Sequence, residues 1–360
     1  MKKILSWFVL TFLLPGCFVL GQAGLKISGD LRLRHQAVHE ENEDTRIRER
    51  MRVRCRVRAN VSENMDLVIG LASGPSDVDP ATRNQTLTQG FSAKPVWLDL
   101  AYFDWHPVWV RNFSVIGGKM PVPFLNFGKS ELVWDEDVTP EGISVHYNPG
   151  TDRFGLIFNT GYFVLQERKQ GKDADLIAVQ GGGSARLMRD RMMLHSAVGY
   201  YNYYGTRGYD SFFDPHDSFG NSTDQRGNYT HDFNELEWLA ELESKWFGLP
   251  IAIFWHIVKN TAANSSNTGW MSGFSLGECD ELYSWSLLYQ YRVMEKDAVI
   301  GVFTESCFAG GGTDNQGHRI EMDMQVGKGA RIGLTGFLNE KDLTRKLVYR
   351  KIQADLTVKF

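Results

Sequence analysis

The sequence predicts an all-β fold: a closed antiparallel transmembrane β-barrel, with sixteen strands as the best count. Three observations predict it. An export leader opens the chain, apolar and polar residues alternate with period two to the last residue, and short turns alternate with long polar loops.

The leader comes first. Lys2 and Lys3 are followed by an apolar run over residues 4–20, interrupted by Pro15 and Gly16. Gly21-Gln22-Ala23 then supplies small residues where signal peptidase cuts. Cleavage after Ala23 gives a signal peptide over 1–23 and a single barrel domain over 24–360. An uncleaved anchor and acylation at Cys17, within Leu14-Pro15-Gly16-Cys17, stay open as alternatives. No later apolar run has the length of a spanning helix; 249–258 is short and contains His256.

The alternation begins at once. Leu25, Ile27, Leu31 and Leu33 share one face, and Lys26, Ser28, Asp30, Arg32 and Arg34 the other. Next, Met51, Val53, Cys55 and Val57 alternate with Arg50, Arg52, Arg54, Arg56 and Arg58. Unpaired arginine is costly in a dry core, whereas a water-filled lumen accepts it. Further on, Glu235, Glu237 and Glu241 alternate with Leu236, Trp238 and Leu242. The final segment sets Ile352, Ala354, Leu356, Val358 and Phe360 against Lys351, Gln353, Asp355, Thr357 and Lys359.

Tight connections are expected at 61–64, 107–112, 148–152 and 328–329, and long loops at 74–94, 121–139, 205–232, 260–268 and 309–317. Short turns belong on the periplasmic rim and long loops on the extracellular rim. Strands are expected to begin near 25, 47, 65, 95, 112, 140, 153, 174, 191, 234, 250, 269, 282, 318, 330 and 346. Fourteen or eighteen strands remain alternatives. The apolar run 298–304 has no turn partner and is placed in a loop or as an extension of the preceding strand. Trp109 and Trp246 sit at short turns and are assigned to the periplasmic aromatic belt.

Several stretches resemble a bacterial family of outer-membrane proteins described as putative porins. They are 26–34 (KISGDLRLR), the arginine-alternating strand at 46–58, 84–87 (NQTL), 98–102 (LDLAY) and 118–120 (GKM) with Pro123-Phe124. The stretches 133–142 (VWDEDVTPEG) and 296–312 (KDAVIGVFTESCFAGGG) complete the set. The resemblance implies a diffusion channel for small hydrophilic solutes and ions, embedded in outer-membrane lipid. Phe360 is similar to the C-terminal signal read by barrel-assembly machinery, although Val358 stands where tyrosine is often found. A homotrimer and a monomer are both open. A dedicated anion channel and a non-conducting adhesive barrel are the alternatives for function.

The pore wall is assigned to Arg32, Arg34, Arg50, Arg52, Arg54, Arg56 and Arg58, with Glu235, Glu237 and Glu241 opposing them. A constriction loop is assigned to 121–139, carrying Glu131, Asp135, Glu136 and Asp137. No catalytic residue, cofactor or metal is assigned, although a divalent ion at 135–137 is an alternative. Gly181-Gly182-Gly183-Ser184 lacks the lysine of a phosphate loop. A hydrolase would need a serine and a histidine brought together, and Ser196 beside His195 faces the other way along a strand. With a formal net charge of −4, no basic excess points to nucleic acid. The cysteines of the mature chain, Cys55, Cys279 and Cys307, give no disulfide framework.

Overall fold

The structure, a computed structural model, describes residues 24–75, 79–151, 153–188 and 191–360. The expected leader over 1–23, with Cys17, lies outside the described residues.

The strands run in chain order: β1 (Leu25–Glu40), β2 (Arg46–Ser62), β3 (Met65–Ser73), β4 (Gln85–Thr86), β5 (Val96–Trp105), β6 (Phe113–Lys119), β7 (Glu141–Tyr147), β8 (Phe154–Gln166) and β9 (Ala174–Leu187). There follow β10 (Met192–Tyr204), β11 (Phe233–Trp246), β12 (Leu249–Asn260), β13 (Thr268–Gly277), β14 (Trp285–Met294), β15 (Asn315–Gly327), β16 (Ala330–Lys341) and β17 (Leu347–Lys359). β4 is two residues long and pairs only with the upper part of β2, which leaves sixteen spanning strands. Each spanning strand begins within three residues of the position its alternation predicts.

Every neighbouring pair is antiparallel, and β1 closes the sheet by pairing with β17 from Asp30↔Lys359 to Glu40↔Tyr349. Closure removes the two sheet edges that would otherwise expose unpaired backbone groups to lipid. Leu31, Leu33, Val53, Leu356 and Val358 point outward, and Asp30, Arg34, Arg52 and Gln353 inward.

The start of β1 and the end of β17 share one rim with the short turns. Trp109 and Trp246 lie at turns of this rim, both well exposed. Phe360 ends there too, its backbone N–H and C=O exchanging hydrogen bonds with Gly29 at 3.1 and 3.0 Å. Its ring lies against Gly29, where a Cβ would come within 2.6 Å of it.

The run 298–304 is no strand. It lies in the loop between β14 and β15, forms the 3-10 turn Gly301–Phe303 and is buried inside the barrel. Its apolar character comes from packing in the lumen, not from contact with lipid. The glycines at 181–183 lie within β9, where Gly182 faces Ala197 of β10.

Candidate functional site

The loop between β6 and β7, residues 120–140, enters the barrel and crosses it as a chord. Its apolar side packs on the wall formed by β8 to β13. Leu132 and Val133 are buried, and the Phe124 ring meets those of Phe163 and Tyr201 edge-on at centroid distances of 6.1 and 5.2 Å. Gly128 has φ of 58°, and the Phe254 ring fills the space a side chain there would need.

Polar anchors hold the same side. Gln180 of β9 accepts a hydrogen bond from Leu125 N at 2.7 Å and donates one to Leu125 O at 3.1 Å. Ser130 Oγ is hydrogen-bonded to His256 Nδ1 at 2.6 Å, and His256 Nε2 to Glu237 Oε2 at 2.9 Å. Tyr201 donates to Glu237 Oε1 at 2.5 Å. This serine–histidine–glutamate chain brings together residues that sequence reasoning kept apart. All three side chains are buried, with Ser130 only 3% exposed, so the chain ties the loop to the wall.

A second inward loop, 295–314, braces the first. Asp135 N donates to Phe303 O at 2.7 Å, Glu305 N to Glu131 O at 3.2 Å and Ser306 N to Asp135 Oδ2 at 2.9 Å. Gly310, Gly311 and Gly312 all have positive φ and shape the return of this loop toward β15.

The acidic side of the chord faces the opposite wall. At one end Arg52 Nη1 of β2 lies 3.2 Å from Glu136 Oε1, and Arg52 and Arg54 each lie 3.6 Å from Asp137 Oδ1. At the other end Arg319 of β15 lies 3.3 Å from Glu131 Oε2, and Lys129 pairs with Glu321. The chord therefore joins β2 to β15, and the arc of wall between them is β16, β17 and β1. A cavity of about 520 Å³ elsewhere lies at the loop rim, but the space enclosed by chord and arc holds about 410 Å³ and carries the charge. Eight basic and eight acidic side chains line it, among them Arg32, Arg34, Arg52, Arg54, Glu131, Asp135, Glu136 and Asp137.

The arginines do not stand unpaired against the loop. Asp30 accepts from Arg52 and Arg54, and Asp355 holds Arg34 through two hydrogen bonds of 2.7 and 2.6 Å. Neither aspartate was singled out by sequence reasoning. The register carried the signal, since Asp30↔Arg54 and Arg34↔Asp355 are directly opposed. Arg50 lies above the aperture, and Arg56 and Arg58 lie toward the turn rim, with Arg58 facing Asp66 at 3.6 Å.

The glutamates of β11 stand elsewhere than expected. Glu235 is fully buried and accepts from Ile300 N at 3.1 Å, and Glu237 is 3% exposed in the anchor chain. Both face inward, but the two loops cover them, so they do not line the charged space. Glu241 lies lower on the same strand, in the recess near the β9–β10 turn.

The carboxylates of the chord differ in state. Burial, reinforced by Glu305, pushes Glu131 well above the usual carboxylate range, and burial with Glu131 and Asp137 does the same to Asp135. Despite its own desolvation, Glu136 is held well below that range by Arg52, Arg54 and Arg32. Cys307 sits on the second loop with Arg34 Nη1 at 3.6 Å. Burial raises its thiol, but Lys351 and Arg34 more than reverse that and bring it to about 6. Among the described residues no group of three or more His, Cys, Asp or Glu could hold a metal ion. Asp135 is turned back onto loop N–H groups, and Glu136 and Asp137 face arginines.

The family profile described as "Putative porin" matches residues 31–245 and 223–360. The chain belongs to this family. This porin is an outer-membrane β-barrel of a Gram-negative bacterium, and its family is one of channels, not of enzymes. No curated protein sequence matches it. Among solved structures it is similar to OprB of Pseudomonas putida, at 11% identity and TM-score 0.62, with 94% of each chain covered. It is also similar to the outer-membrane channel DcaP of Acinetobacter baumannii, at 12% identity and TM-score 0.55, covering 96% of this porin and all of that chain. The trimer form of OmpT of Vibrio cholerae matches at 11% identity and TM-score 0.52, with 93% and 99% covered. At these identities the likeness is one of fold. The long loops of the porin lie on the extracellular rim and the short turns on the periplasmic rim.

Proposed function

We propose that the porin conducts small hydrophilic solutes and ions passively through the space between the inner loop and the β16–β17–β1 arc. One observation carries this reading: behind the loop, buried side chains leave a pocket of about 200 Å³, whereas the space before the arc is larger, at about 410 Å³, and charged on both sides. Basic groups on the arc and acidic groups on the loop set up a transverse field, which orients polar solutes and disfavours apolar ones.

Selectivity is expected to be weak. Eight basic groups stand against eight acidic ones. Glu131 and Asp135 carry less than full charge because burial favours their neutral forms, and the lowered Cys307 thiol returns part of that negative charge. The balance leans slightly to anions. Glu235 and Glu237, covered by the loops, do not oppose it.

Two further roles belong to the same reading. Phe360 serves as the recognition residue for barrel assembly, supported by its place at the closing seam beside Gly29. The porin assembles as a homotrimer through the low wall of β6 and β7, each seven residues long, the shortest spanning strands. The trimeric OmpT is the precedent for that arrangement.

Planar-bilayer recording of refolded protein in a salt gradient tests the proposal. Discrete openings with a small reversal potential on the anion side are expected. A membrane that stays sealed at protein levels where control porins open would overturn it.

A further inference from the structure

The pairing of charges around the aperture is uneven. Arg34, Arg52 and Arg54 each face carboxylates. Arg32 and Arg50, opposed to Arg52 and Arg34 in the β1–β2 register, have no ion pair among the described residues. Both instead turn to one neutral residue. Arg32 Nη2 donates to Asn84 Oδ1 at 2.7 Å, and Arg50 Nη2 donates to Asn84 O at 3.1 Å. Each guanidinium also keeps its Nε buried without a partner.

Arg32 holds the side-chain amide of Asn84 and Arg50 its backbone carbonyl, and the buried Nε of each is neither solvated nor hydrogen-bonded. Arg32 and Asn84 line the charged cavity and Arg50 adjoins it through Asn84, so the charge of Arg32 is the one presented to the conducting space. A planar guanidinium matches the paired oxygens of a carboxylate or phosphate, and two of them close together suit an anion with several oxygens. The cavity, at about 410 Å³, has room for a small one.

We propose that Arg32, Arg50 and Asn84 form a binding site for a small oxyanion, a carboxylate or a phosphate, that occupies the aperture during transit. The site rests on the pore reading above and deepens it by naming a class of solute. A bound oxyanion supplies the direct ion pair that these two arginines lack among the described residues. It therefore dwells at the aperture and transiently blocks chloride current.

Single-channel recording in potassium chloride, with inorganic phosphate or succinate added at constant ionic strength, tests this. Expected is a saturable, concentration-dependent block by at least one of the two, weakened tenfold or more in Arg32→Gln/Arg50→Gln. Arg345→Gln, on an exposed loop and paired with Asp342, should keep the wild-type block. Phosphate block alone identifies a phosphate site and succinate block alone a carboxylate site. Open channels that neither anion blocks would overturn the site, as would a block that survives the double replacement. Absence of any opening would instead overturn the pore reading on which the site rests.

Discussion

Arg52 Nη1 and Glu136 Oε1 lie 3.2 Å apart although 84 positions separate them in sequence. The contact joins the arginine-rich wall to the loop that crosses the barrel, and it marks one end of the aperture. The other end is the pairing of Arg319 with Glu131. Both arginines are largely buried, where the cost of desolvation offsets much of the attraction, so these contacts position the loop more than they hold it. The holding is done behind the loop, by buried apolar contacts and by Gln180 and His256.

That division of labour has a consequence for Gln180→Leu. The replacement leaves Leu125 N and O, partly buried, without their side-chain partner, at a cost of up to about 1–3 kcal/mol for each unsatisfied group. The barrel wall itself keeps its strand pairing. Single-channel traces should become noisier, with frequent brief changes of level, while folded yield stays near wild type. Traces as quiet as wild type would show that the anchor is dispensable.

Cys307 offers a built-in probe of the lumen. Its thiol is brought to about 6 by Lys351 and Arg34 against the effect of burial, and it lines the aperture. A negatively charged, water-soluble thiol reagent should label it at neutral pH and lower the conductance. Cys307→Ser should abolish the loss. Cys55 faces outward on β2, so labelling there should leave the current unchanged.

The raised carboxyls predict a direction with pH. Burial favours the neutral forms of Glu131 and Asp135, so their folded pKa values exceed the unfolded ones, which lie near about 4. Their stabilising contribution is full below the unfolded values and is lost as pH rises through the raised folded values. Ionisation then adds negative charge beside the aperture. The reversal potential in a salt gradient should move toward cation preference as pH rises, and Glu131→Gln/Asp135→Asn should flatten much of that movement. Cys307 ionises in the same direction, so Cys307→Ser is the background in which to measure it.

Phe360 is expected to matter at assembly. Its backbone continues the seam opposite Gly29, and its ring fills the space beside that glycine. Deleting Phe360 should reduce the protease-resistant fraction in membranes while total synthesis stays constant. Equal resistant fractions would show that the last residue is not read.

The barrel was legible in the sequence because alternation is a property of each strand alone. The run from Arg50 to Arg58 states its own two faces, and the number of strands follows from such runs and the turns between them. What lies inside was only half legible. The acidic run 135–137 marked the chord, but Asp30 and Asp355 needed the register before they could be seen as partners of Arg54 and Arg34. Glu235 and Glu237 read as wall residues because inward-facing positions look alike, whether open to water or covered by a loop. The run 298–304 showed the same ambiguity in reverse: its apolar side chains signalled burial without saying against what. Ser130 and His256, 126 positions apart, carried no signal that they would meet.

The most direct test of the charged aperture compares two double replacements in one salt gradient. Arg54→Gln/Arg56→Gln removes positive charge from the wall, and Glu136→Gln/Asp137→Asn removes negative charge from the chord. If the two surfaces face each other across the conducting path, the first should shift the reversal potential toward cations and the second toward anions, with both variants still opening. Two shifts of the same sign, or no shift in either variant, would contradict the placement of the loop at the constriction.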